Sequence, residues 1–245
     1  MPVIPAQPWS ELAPSMQTGD LILFAGTSNE SRWIEALTNG QFSHATMVVR
    51  TADSSVPWMW QEAPEAIAPD PRTGKPTTGA QLGDAEEATQ VIQGMGDVPF
   101  YVPLVWDRPA ALDDKILAVV AKYEGVPFGT VLQMALDYAI GKLYDQATGL
   151  TTMYCAELVA VTYQALGLLT DVHPPNWYSP NSFGPDEQGQ LPWAAAVQAS
   201  LGAPVPITLA AAPKVTAAAV RTTAGWPAPL APDSLPAPPA ALTAR

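Results

Sequence analysis

The chain has 245 residues, 48% of them hydrophobic and 14% charged, with a mean hydropathy of +0.08, which is material for one full core plus appendages. Its 23 acidic and 11 basic residues give a formal charge of −12, and no basic run occurs, so a surface that tracks nucleic-acid phosphates is not expected. One cysteine and two histidines exclude an internal disulfide and the ordinary Cys/His zinc clusters.

Residues 1–18 read as an irregular lead-in without a positive leader or an apolar run of signal-peptide length. No window reaches transmembrane length, so a cytoplasmic or virion-associated product is expected. Gly19-Asp20 marks a turn, and Leu21-Ile22-Leu23-Phe24 is an apolar run of strand length. Glu30 to Leu37, with Trp33, Ile34 and Leu37 at helical spacing, predicts a short helix that stops at Asn39-Gly40. Ser43 to Arg50 has the β-branched content of a strand, with His44 near its start, and Trp58 to Ala63 reads as its hairpin partner. Pro64 to Gly83, rich in Pro, Gly and Thr, reads as a loop, while Ala88 to Gln93 and Phe100 to Val105 read as strands.

Leu112 to Glu124 carries apolar residues at helical spacing behind Asp113-Asp114, an amphipathic helix with acid in its first turn. A second helix is expected over Val131 to Tyr144. A third, over Tyr154 to Leu166 and closed by Gly167, has a nearly all-apolar face and should be buried. From residue 201 to 245 Ala and Pro dominate, which predicts an extended tail and leaves residues 19–200 as the folded domain.

A nucleophilic cysteine needs a lowered pKa or a nearby base, and the first turn of a helix places partial positive charge at the sulfur. Cys155 stands at about that point, yet a lone cysteine is more often a small core residue. Histidine is the side chain suited to act as base near neutral pH. His173 lies in a loop without pattern, whereas His44 opens a buried strand, where its ring must find partners in the core or in a site. Glu62, on the next strand, could face the ring's other nitrogen; Gln61 points to the opposite face, so only one of the two can serve, and a carboxylate would also stabilise an imidazolium.

Taken in order, Gly19-Asp20-Leu21-Ile22-Leu23-Phe24, Phe42-Ser43-His44-Ala45, Glu62-Ala63, Gly125-Val126-Pro127-Phe128 and Tyr154-Cys155-Ala156-Glu157-Leu158-Val159 resemble the circularly permuted papain-like amidases of the YaeF/YiiX type. Those are relatives of the NlpC cell-wall peptidases and of lecithin:retinol acyltransferase. The resemblance implies an α+β fold with a small antiparallel sheet packed on helices, Cys155 as nucleophile, His44 as general base, Glu62 as the orienting acid and Tyr154 near the oxyanion site. The expected reaction is acyl transfer through a thioester, with the oxyanion held by the Cys155 backbone N–H and no metal or organic cofactor. Expected substrates are a peptide, a peptidoglycan fragment or a lipid, the last if Trp33, Trp58 or Trp60 lines an apolar groove. A non-catalytic virion component on the same shell is the rival reading.

Overall fold

The apolar runs assemble into one seven-stranded sheet in the computed structural model, which describes residues 4–26, 38 and 40–210. Its strands are β1 (Gln7–Pro8), β2 (Leu21–Ala25), β3 (His44–Val49), β4 (Trp58–Ala63), β5 (Gly79–Asp84), β6 (Val98–Val102) and β9 (Val205–Thr208), while β7 (Leu104–Val105) and β8 (Ser200–Leu201) form a separate pair. The order is β1-β9-β6-β2-β3-β4-β5, with β1 parallel to β9 and every other pair antiparallel. The helices among the described residues are α1 (Trp9–Leu12), α2 (Ala85–Gly94), α3 (Leu112–Tyr123), α4 (Val131–Tyr144) and α5 (Cys155–Leu166). The chain is therefore α+β, the class expected. The helix expected over residues 30–37, with Trp33, and the tail beyond residue 210 lie outside the described residues.

β2 is a continuous apolar run because both of its faces are covered. Leu21 and Leu23 join a core with Ile116 and Val120 of α3 and Leu158 of α5, and Ile22 and Phe24 join one with Trp9, Leu12, Ala88 and Ile92. Each such side chain contributes roughly 1.5–3 kcal/mol by leaving water. In α5 every residue from Cys155 through Tyr163 is buried, and Gly167 closes the helix at φ 78.

Four expectations change. Ala88 to Gln93 is helical, not a strand: the Asp84 side chain caps α2 by accepting from the Glu87 N–H, and Ala85, Ala88, Thr89 and Ile92 bury one face at helical spacing. The loop over Pro64 to Gly83 ends in strand β5, whose glycines admit close neighbours. A Cβ on Gly79, at φ +77, would strike the Val126 carbonyl oxygen, and one on Gly83 would lie 2.9 Å from the Ala68 Cβ. The lead-in is folded from residue 7, with Trp9 and Leu12 in the core. The tail begins later than residue 201, since Val205–Thr208 pairs with both β6 and β1 and buries Ile207.

Candidate active site

Cys155 is the first residue of α5, after Tyr154 in extended geometry (φ −124, ψ 168). Glu157 lies in the first turn of the helix, where the Tyr154 backbone N–H lowers its carboxyl against the rise that burial imposes. The ladder between β3 and β4 ends at the Met47–Trp60 pair, and the backbone N–H groups of Ala45 and Ala156 lower the Cys155 thiol. Helix α5 packs on the face of β3 that carries Ala45, Met47 and Val49, whereas His44, paired with Phe24, lies on the opposite face, so the resting structure does not bring its ring onto the Cys155 sulfur. Burial, at 6% exposure, pushes the thiol up to about 11, and these N–H groups pull against that rise.

His44 opens β3 directly opposite Phe24 of β2, with the two rings 5.6 Å apart. The register of β3 on β4, carried on from Met47–Trp60, puts His44 on the face of Gln61. Its Nε2 lies 3.2 Å from the Gln61 Oε1. That assignment corrects Glu62 as the orienting group: the pleat turns Glu62 the other way, with Trp60, whose indole N–H donates to Thr162 of α5 at 3.1 Å. Burial lowers His44 to about 4, against which the Gln61 contact works. Hydropathy of β4 held the signal for Gln61, because the most apolar residue of the strand, Trp60, had to face the buried helix and its odd-numbered neighbours could not.

Tyr154 is also reassigned. Its hydroxyl lies 2.8 Å from the Asn176 carbonyl and 2.9 Å from that of Tyr178, so that donor is already engaged. It braces the 175–178 segment against the helix start. Glu62 and Glu157 are both buried, raised to about 9 and about 8 respectively, in each case chiefly by burial. Trp60 belongs to the core and Trp58 packs at its margin, so neither lines an open groove. His173 bonds Asp145 at 2.8 Å and stacks on Trp177, with the Lys142 ammonium over that indole at 3.4 Å, a brace between α4 and the following segment.

No protein-family model matches the chain, and no curated protein sequence matches it. Among solved structures it is similar to one titled a metalloprotein, yiiX from Escherichia coli O157:H7, DUF1105, with a TM-score of 0.45 and 16% identity over 77% of this chain and 97% of that one. Among the described residues here, no three His, Cys, Asp or Glu side chains come together as a metal site needs. No helix of the described residues is long and apolar enough to cross a membrane.

Proposed function

We propose that the protein is a cysteine-dependent hydrolase of the permuted papain-like type, acting on amide or isopeptide bonds with Cys155, His44 and Gln61 as its working residues. The observation that carries this reading is Cys155 at the first turn of α5, packed on the strand β3 that His44 opens, with the His44 Nε2 held by the Gln61 amide. With the Gln61 Oε1 as acceptor, Nε2 carries the ring hydrogen and Nδ1 is left basic. A thiol raised to about 11 and an imidazole lowered to about 4 both rest neutral. In the proposed step the His44 ring, which rests on the Gln61 face of the sheet, swings toward the sulfur, and Nδ1 takes its proton as the sulfur attacks the carbonyl carbon. The oxyanion is met by the Cys155 backbone N–H at the positive end of α5. The imidazolium then returns its proton to the leaving amine, and water hydrolyses the thioester by the same route.

A second reading, transfer or hydrolysis of lipid acyl chains on the same sulfur, is favoured by Leu132, Leu136 and Leu143, exposed at helical spacing along α4. Mass spectrometry of the protein incubated with muropeptides, isopeptides and phospholipids, with Cys155→Ala as control, tests both. An acyl adduct on Cys155 from a peptide donor is expected, and one from phospholipid alone selects the second reading. Products that persist in Cys155→Ala, or no adduct from any donor, end the enzyme reading.

A further inference from the structure

Beneath the start of α5 lie two carboxyls that the reaction above does not use. Glu62 is 0% exposed, and neither of its oxygens has a hydrogen-bond partner. It shares a face of β4 with Trp60, which bonds Thr162, so it is aimed at α5. Glu157 is 1% exposed, and only the Tyr154 N–H pulls its carboxyl down against burial and the field of Asp137. The titratable groups whose fields reach this point are Cys155 and Glu157 from α5, Tyr154 at its cap, and Asp137 and Tyr138 from α4; on β3, His44 is turned to Gln61. Among the described residues no cation forms an ion pair with either glutamate.

The positive end of a helix favours one negative charge in its first turn, and three acids compete for it here. An ionised carboxylate with no donors, taken out of water, is far less stable than the neutral acid in the same place. We infer that Glu62 is a proton-holding positioning residue for Cys155: as the neutral acid it reserves the helix terminus for the sulfur, and its ionisation in alkali opposes the thiolate. Glu62 is among the groups that hold the Cys155 thiol up, and Glu157 in turn raises Glu62. Above its titration range the Glu62 proton leaves to solvent, and the new charge sits beside a sulfur that must itself become negative. The inference rests on the proposed nucleophile but needs no substrate for its test.

The experiment follows the rate of native Cys155 alkylation by iodoacetamide across pH in the full chain, Cys155 being its single cysteine. Carboxyl-carbon NMR runs in parallel, the Glu62 signal being identified by its loss in Glu62→Gln. Glu62 is expected to be protonated at neutral pH and to titrate in alkali. Glu62→Gln is expected to lower the alkylation midpoint by about one pH unit, which is about tenfold more thiolate at a fixed pH below it. Glu157→Gln is expected to shift it the same way by less, and serves if Glu62→Gln does not fold. A Glu62 carboxyl that titrates in the ordinary acidic range, a midpoint unmoved in the variants, or a native Cys155 that never alkylates would each overturn the inference. A purely structural Glu62 would change the melting temperature and leave the midpoint alone. Failure of the hydrolase reading looks different: no acyl adduct forms, while the alkylation midpoints still shift.

Discussion

Two buried acids of this molecule have opposite surroundings. Asp20, 2% exposed, accepts from the Gln17 N–H at 2.8 Å, the Tyr101 hydroxyl at 2.6 Å, the Leu104 N–H at 2.9 Å and Arg108 at 2.8 Å. Glu62, as deeply buried, accepts from nothing. Burial raises both carboxyls, but only at Asp20 do donors and a guanidinium pull back. The difference separates scaffold from site: a saturated carboxylate ties the turn before β2 to β6 and β7, whereas an unsaturated one keeps its proton and its freedom to respond.

The contrast can be broken most forcefully at Asp20. Asp20→Ala leaves Arg108 and Tyr101 without their shared partner and is expected to lower stability by about 3–5 kcal/mol in urea denaturation. A loss under about 1 kcal/mol would remove the scaffold role. Glu62→Gln is expected to act with the opposite sign, raising stability by about 1–3 kcal/mol near neutral pH. The Glu62 carboxyl is raised from 4.5 to about 9, so the fold prefers its neutral form. Its contribution is full below 4.5 and is lost as pH rises to about 9, and the variant's advantage should grow across that window in denaturation series. An advantage independent of pH would mean that packing, not charge, sets the sign.

Gln61→Ala should reduce kcat/KM on whichever donor acylates Cys155 by roughly 10–100-fold, since it frees the ring that it orients. Equal activity would return the orienting role to another group. The smallest effect is expected from Tyr154→Phe, about 1 kcal/mol of stability for one lost hydrogen bond, with the Cys155 alkylation midpoint unchanged. A shifted midpoint would show the tyrosine hydroxyl acting on the sulfur after all.

Much of the site's frame was legible because it follows from local chemistry. The run Leu21 to Phe24, the strand opened by His44 and the buried helix closed by Gly167 each announce themselves by period, composition or cap. Two elements were hidden for physical reasons. β5 lacks β-branched residues, and its Gly79 and Gly83 answer to distant contacts with Val126 and Ala68 that no local pattern encodes. In α2 the β-branched Thr89, Val91 and Ile92 suggest a strand, although Asp84 followed by Glu87 carried the helix signal. The choice between Gln61 and Glu62 turned on register, a property of two strands together, and the preference for a carboxylate beside an imidazole pointed to the wrong neighbour.

The pairing of Gln7 with Ile207 and Pro8 with Thr208 has a consequence for how such a molecule can be encoded. Strands from near the two ends of the described chain are neighbours at one edge of the sheet and run parallel, so a crossover segment that doubles back along β9 could join them. A new opening in the exposed 71–76 turn would then leave every strand pairing intact. Closing such a bridge adds only a few RT of chain entropy. The sheet is thus indifferent to whether the nucleophile's helix or the histidine's strand is translated first, and evolution can reorder the two without inventing a new architecture.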